Sequence, residues 1–293
     1  MASVQRRVAV IANPTTRRDV EKIFARMAHR RPEHVVLETY VTDGPGAAAE
    51  LARRLGPDVE ILVAIGGDGT VSEVATAIAG SQTRLGIIPA GSTNIIAREL
   101  AIPVGLDAAV NLVFHGEREH RMDVGQVGDR RFLHMAGAGL DSHIFANADR
   151  RLKRRVGWVA YLPPGFMALK QPIAQMTVDI DGEAMTVASR LVVVANGTSV
   201  VTPRLALLPE MSSNDGWLDV LIFTAASPVT VARTIGGLLT HRLHRSPDVI
   251  HRRGRKIVIG ADPPLPVQLD GDAMLTTPVT ITIDPGALRV LVP

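Results

Sequence analysis

The chain has 293 residues, 46% of them hydrophobic, 3% aromatic and none cysteine, with a formal net charge of +3. That length supports about two domains, each with its own core, and the apolar content argues against disorder. The lack of cysteine excludes disulfides and thiolate metal sites and suits a reducing cytoplasm, while the scarcity of aromatics argues against recognition of single-stranded nucleic acid by stacking.

Residues 1–7 lead straight into an aliphatic run at 7–12, so no signal segment is expected and the first strand is placed there. A polar turn, 13–16, precedes an amphipathic helix near 18–28, followed by a strand at 34–41 and a helix at 46–55. The run at 61–65 is short, aliphatic and mostly β-branched, as expected of a strand buried on both faces of a parallel sheet. It ends in Gly66-Gly67-Asp68-Gly69-Thr70, after which Val71, Val74, Ala75 and Ile78 fall at helical spacing. Thr70 and Glu73 have the spacing of a capping box. A fourth strand at 85–89 runs into Ala90-Gly91-Ser92-Thr93-Asn94 and a helix that reaches Leu100. Strands alternating with helices over short connections predict an α/β domain with a parallel, doubly wound sheet, whose ligands bind beyond the carboxyl ends of the strands.

At that edge the pattern collects Asn13, Thr42, the 66–70 loop and the 91–94 loop, all small, polar or backbone-rich groups suited to hydrogen-bonding a nucleotide. Glycines let a backbone approach a ligand closely, and the amides of a first helical turn favour phosphate. Bare phosphate would repel Asp68. Its carboxylate makes sense if Mg2+ sits between it and the nucleotide, or if it accepts a proton from a hydroxyl nucleophile; the alternative is a plain strand-to-helix turn with Asp68 facing solvent.

After about residue 123 the pattern changes to strand-like runs at 131–134, 176–180, 191–195, 218–223, 256–259 and 279–283, punctuated by Gly, Pro, Asn and Asp. An all-β second domain, a sandwich, is predicted, with Asp181-Gly182 as a hairpin turn. Two acidic stretches stand out, Ser212 to Asp219 and Asp270-Gly271-Asp272. Both read as β-turns. On an extended segment Asp270 and Asp272 would instead project to one side, where they could hold a cation or deprotonate a hydroxyl.

Positive charge is concentrated in 150–155 and in Arg242, Arg245, Arg252, Arg253, Arg255 and Lys256. Such runs are either solvated surface or a contact for anionic lipid headgroups. No nucleic-acid-binding motif accompanies them. The longest stretch without charge, 156–169, is too short to span a bilayer, so the expected location is cytoplasmic, with any membrane contact peripheral, at the inner face.

Taken in order, the motifs resemble the diacylglycerol kinase catalytic family, which includes bacterial soluble lipid kinases and the sphingosine and ceramide kinases. They are Asn13-Pro14, Gly66 to Thr70 with Glu73-Val74, Pro89 to Asn94 with Ala97-Arg98, Asp215-Gly216-Trp217-Leu218-Asp219-Val220, and Asp270-Gly271-Asp272.

The resemblance implies a nucleotide domain of the phosphofructokinase and NAD kinase type at 1–123, a β-sandwich acceptor domain at 124–285, and a final strand, 288–292 within 286–293, that returns to the first domain. It implies ATP contacts at Thr42, at Gly66, Gly67, Asp68, Gly69, Thr70, Val71 and Ser72, and at Ser92, to which the edge pattern adds Asn13, Gly91 and Asn94. A structural Mg2+ is implied at Ser212, Asp215 and Trp217, with Ser212 and Trp217 contributing backbone carbonyl oxygens. The proton acceptor maps to Asp272, assisted by Asp270, by likeness to bacterial lipid kinases, and to Asp68 by likeness to the sphingosine kinases. Four positions depart from the family pattern: Ser72 for asparagine, Ser92 for threonine, Ile95 for aspartate and Asp272 for glutamate.

The implied activity is transfer of the γ-phosphoryl group of MgATP to a hydroxyl of diacylglycerol or a similar lipid. The expected partners are that lipid and an anionic membrane surface, with a homodimer left open. A soluble acceptor such as NAD or a sugar phosphate, and a nucleotide-binding regulator without turnover, are the alternatives.

Overall fold

The computed structural model describes residues 5–139, 173–199, 207–208, 210–224 and 227–293. The basic run 150–155 and the uncharged stretch 156–169 lie outside the described residues. The chain forms two compact units, Met1–Met122 with Gly286–Pro293, and Asp123–Pro285.

The first unit is an α/β layer. Strand β1 (Arg6–Ala12) leads through α1 (Val20–Arg30) to β2 (Val35–Val41), then through α2 (Ala47–Leu55) to β3 (Ile61–Gly66), α3 (Asp68–Ile78) and β4 (Arg84–Pro89). Helices α4 (Ile95–Glu99) and α5 (Leu106–His115) follow. The strands lie in the order β2-β1-β3-β4, all parallel. Every residue of β3 is buried, as an aliphatic run without polar alternation requires. Helix α1 is capped by Asp19, whose carboxylate accepts the Lys22 amide at 3.2 Å, and turns Val20, Ile23 and Met27 inward at helical spacing. These pack with Val110, Val113 and Phe114 of α5 against Val8, Val10, Ile61 and Val63.

The last strand, β16, runs from Val279 to Leu291 as one element rather than the two expected at 279–283 and 288–292. Its final residues lie parallel beside β4, pairing Arg289 with Arg84 and Val290 with Leu85. The Arg289 guanidinium donates to Glu119 Oε2 through Nε at 3.0 Å and Nη2 at 2.7 Å. That hydrogen bond holds the Glu119 carboxyl below its ordinary range, against the opposing effect of burial. Its contribution to stability is therefore present at neutral pH and lost as the pH falls through the lowered value.

The second unit begins in β5 (Glu119–Val127) and contains β6 (Arg130–Phe132), β7 (Met135–Gly139), β8 (Ala174–Ile180), β9 (Glu183–Ser189), β10 (Leu191–Ala195) and β11 (Leu218–Phe223). After helix α6 (Pro228–Leu239) come β12 (Val249–Gly254), β13 (Lys256–Asp262), β14 (Pro266–Leu269) and β15 (Asp272–Thr276). One sheet has the order β12-β11-β10-β7-β14-β15; facing it, β9, β8 and β13 continue to the first residues of β16. Between them lie Phe132, Met176, Val178, Val192, Val194, Val220, Ile222 and Ile257. The alternate residues Val193, Ala195 and Leu221 face the other way, into a smaller cluster that includes Leu243 and, partly buried, Leu238 of α6. This is the expected sandwich, with a helix added that the hydropathy pattern did not announce. A capping box between Ser227 and Thr230 and proline at its first turn start that helix. Asp181-Gly182 forms the predicted hairpin: both residues have positive φ, 53° and 96°, as a type I′ turn demands.

Gly125 sits opposite Phe132 in the β5–β6 pair, and a Cβ there would lie 2.1 Å from the ring. Gly125→Ala is therefore expected to destabilise the protein by about 1–3 kcal/mol by overpacking. In a Phe132→Leu background the same change should cost less. Chemical denaturation of the four-protein cycle checks this, and full additivity would show that the two residues do not compete for the space.

Candidate active site

In the first unit the carboxyl ends of β1, β3 and β4 are laced together by backbone hydrogen bonds. The Asn13 amide donates to Ile65 O at 3.0 Å, Thr42 to Ala12 O at 2.9 Å, Ala90 to Gly66 O at 2.8 Å and Arg17 to Ala90 O at 3.2 Å. The order β2-β1-β3 reverses direction between β1 and β3, and that crevice is where doubly wound sheets take ligands. Asn13, Thr42, the 66–70 loop and the 91–94 loop are thus brought to one edge.

Glycine is required there by contact. A Cβ on Gly91 would lie 2.4 Å from the Gly67 Cα, and one on Gly66 would lie 2.5 Å from the Thr70 side chain. The two loops meet backbone to backbone. Gly69 differs: its Cβ would meet nothing within 4 Å, so the start of α3 opens onto space at that point. The first bond closing α3 runs from the Val71 amide to Gly67 O at 3.1 Å, so the amides of Gly69 and Thr70 precede the intrahelical ladder.

Helix α3 begins at Asp68, with Gly67 as its N-cap and no side-chain cap. This corrects the capping box expected of Thr70 and Glu73. Because the helix starts earlier, Thr70 lies inside the first turn, buried, with its hydroxyl taking a hydrogen bond from Asn13 Nδ2 at 3.3 Å. Asn13 Oδ1 accepts the amide and hydroxyl of Thr15, at 2.9 and 2.8 Å. Asn94, at φ 48°, ties its own loop through Gly91 in both directions, accepting the Gly91 amide at 2.9 Å and donating to Gly91 O at 3.0 Å. Thr42 and Val71 are buried; Ser72 and Ser92 are half-buried.

Asp68 Oδ1 accepts the Ile95 amide at 2.6 Å. The carboxylate of one loop therefore caps the helix of the next, α4, which lacks a side-chain cap of its own at Asn94. Position 95, where the family pattern has aspartate, contributes its backbone instead. A half-buried carboxylate beside the open amides of α3 suits a single hard oxygen donor to a magnesium ion carried in on nucleotide phosphates.

The acidic residues of the second unit divide by role. Asp270 and Gly271, at φ 49° and 96°, form the two-residue type I′ turn between β14 and β15, with Leu269 paired to Asp272. The segment is not extended, so the expectation that both carboxylates project to one side does not hold. Asp270 accepts the amides of Leu133 at 2.8 Å, His134 at 2.8 Å and Met135 at 3.1 Å. In place of the strand expected at 131–134, β6 ends at Phe132 and β7 begins at Met135, with Leu133 and His134 held between them by this carboxylate. Asp270 is a positioning residue for the turn. Asp272, the first residue of β15, is exposed.

Around the implied structural magnesium set, Asp215 Oδ1 accepts the Trp217 amide at 3.1 Å and its other oxygen pairs with Arg253. The Ser212 hydroxyl donates to Asn214 Oδ1 at 2.6 Å. Of the implied donors only Asp215 brings a side-chain charge, the others being the Ser212 and Trp217 carbonyls; with both its oxygens engaged and a guanidinium on one of them, the set does not fit a magnesium ion. Among the described residues no group of three or more His, Asp or Glu side chains could hold a metal. Hydropathy did not single out Asp123, which is buried and takes the Gly216 amide at 2.7 Å.

Residues 7–127 match the diacylglycerol kinase catalytic domain, and residues 134–292 match the YegS C-terminal NAD kinase beta sandwich-like domain. The chain belongs to the diacylglycerol kinase catalytic family. A diacylglycerol kinase of Staphylococcus saprophyticus is 28% identical, covering 92% of this chain and 90% of the relative; one of Staphylococcus carnosus is 27% identical over 92% and 89%. A protein of Synechocystis is 29% identical over 87% of this chain, which spans only 61% of that relative's length. The fold matches a crystal structure of a diacylglycerol kinase from Bacillus anthracis with a TM-score of 0.80 at 23% identity, covering 98% of this chain and 97% of that one. Members of the diacylglycerol kinase family are phosphotransferases that use an alcohol group as acceptor, and this chain is an enzyme of that class. No helix among the described residues is long and apolar enough to cross a membrane.

Two substitutions check the geometry. Gly91→Ala should push the glycine loops apart and cost about 1–3 kcal/mol in chemical denaturation. Asp270→Ala leaves three amides without their acceptor and should cost about 3 kcal/mol or more, with Asp270→Asn intermediate.

Proposed function

We propose that the chain transfers the γ-phosphoryl group of ATP to a hydroxyl of a lipid, diacylglycerol or one like it. The observation that carries this reading is the pair of glycine loops, closed on each other at Gly67 and Gly91, beside an open helix start that bears Asp68. Together with family membership and relatives named diacylglycerol kinase, it supports a triphosphate held mainly by backbone.

In phosphoryl transfer the protein's work is positioning and charge neutralisation. The amides of Gly69 and Thr70 receive phosphate oxygens, and the hydroxyls of Thr42, Ser72 and Ser92 and the amides of Asn13 and Asn94 complete the nucleotide's polar surroundings. Magnesium, when bound with the nucleotide, supplies neutralisation of phosphate charge, and Asp68 is the carboxylate that would hold it. Asp272 accepts the proton of the attacking hydroxyl, on a turn kept in place by Asp270. The exposed Arg242, Arg245, Arg252, Arg255 and Lys256 suit a peripheral contact with anionic headgroups.

A soluble acceptor is the second reading. It is favoured by the NAD kinase-like description of the C-terminal family model and by the apolar Ile95 where the pattern has aspartate.

Labelled ATP incubated with a mixed-lipid extract, the product identified by mass, is expected to yield a phosphorylated lipid. Asp272→Asn should lower turnover by about 10²–10⁴-fold and Asp68→Asn by about 10²–10³-fold, each with little change in thermal unfolding. Phosphorylation of a water-soluble acceptor without vesicles or detergent would select the second reading. Full turnover in both variants would remove these residues from the mechanism.

A further inference from the structure

We infer that the Arg253 guanidinium is the resident cation of the acidic turn at 212–219, and that this turn takes no magnesium ion. Arg253 lies directly opposite Asp219 in the β11–β12 register, so the ladder fixes which carboxylates it can reach. Its Nη2 pairs with Asp215 Oδ2, and its Nε lies 3.4 Å from Asp219 Oδ1. Asp219, only 3% exposed, also has His251 Nε2 at 2.7 Å from the same oxygen. The other oxygen of Asp215 accepts the Trp217 amide.

The same turn carries a second cation. Arg255 lies over the Trp217 ring at 4.6 Å from its centroid and Arg253 at 5.9 Å. Asp215 and Asp219 thus share one guanidinium, with a second on the Trp217 ring beside them, so positive charge is in place before any ion arrives. Magnesium requires near-octahedral oxygen ligation and gives up its water reluctantly, so entry here means displacing Arg253 and lying beside a second cation. Arginine does not deprotonate in proteins, so the guanidinium is charged wherever the carboxylates are, and its hold on the turn needs no metal supply. An isolated exposed pair would contribute little, but one guanidinium shared by two carboxylates and stacked near an aromatic ring is a network. The second unit is accordingly stable without a divalent ion. This inference does not rest on the proposed lipid kinase activity.

The test uses the full chain without nucleotide. Manganese is titrated by electron paramagnetic resonance, and thermal unfolding is followed in EDTA and in magnesium chloride. Wild type and Asp215→Asn are expected to bind the same number of manganese ions, and the wild-type midpoint to be the same in both buffers. A manganese site present in wild type and lost in Asp215→Asn would overturn the inference, as would a magnesium-dependent rise in midpoint that Asp215→Asn abolishes. Arg253→Gln is expected to melt roughly 2–4 °C lower in EDTA and to gain a manganese site that the double variant with Asp215→Asn lacks. If Arg253→Gln folds and gains no such site, the guanidinium is not what excludes the metal and the inference fails. If it does not fold, the comparison of wild type with Asp215→Asn decides.

Discussion

The first unit depends on one close approach, the contact of Gly67 with Gly91 across the ends of β3 and β4. Space for a single extra carbon is missing there, so the two loops can sit together only as bare backbone. Through that contact the order of the sheet becomes a site. Asp68, carried on one loop, reaches the Ile95 amide at the start of the other loop's helix, and Asn13 reaches across to Thr70 from β1. Asp68 and Asn13 each brace a neighbouring segment. What is left open is the start of α3 at Gly69, the one glycine of the 66–69 cluster with no atom near its missing side chain.

The second unit solves a related problem with charge. Asp270 occupies a left-handed turn position and gathers three consecutive amides from a segment more than 130 positions earlier in the chain. Asp215 and Asp219 gather a guanidinium. Three of the carboxylates in the two acidic motifs are therefore structural in their contacts, and Asp272, on the exposed side of the type I′ turn, is the one whose position leaves it facing outward.

Much of this was legible from residue order alone. In the first unit, aliphatic runs ending near glycine or Asn-Pro locate β1, β3 and β4 to within a residue or two, because strands largely buried on both faces carry no polar alternation to confuse them. The loops that meet at the sheet edge followed from the alternation of strand and helix. The helix start at Asp68 differs from the one the pattern suggests because a threonine three residues before a glutamate satisfies the capping pattern whether or not the turn begins there. The acidic motif at 270–272 is the β-turn its Asp-Gly suggests, but what its first carboxylate holds is not legible. That carboxylate takes amides 135 to 137 residues away, a partnership that no local pattern encodes. Arg253 read as one more member of a basic run; only the β11–β12 register distinguishes it from Arg252.

Asp123 carries a consequence for dissection of the molecule. Its amide donates to Ser213 O at 2.7 Å, its carbonyl accepts Asn196 Nδ2 at 2.8 Å and its carboxylate accepts the Gly216 amide at 2.7 Å. The residue at which the chain enters the C-terminal unit is thus riveted on all three of its polar groups to parts of that unit far along the sequence. A fragment cut on its carboxyl side would forfeit those anchors together, so the place to sever the halves lies on its amino side, between Met122 and Asp123, where the two compact units divide.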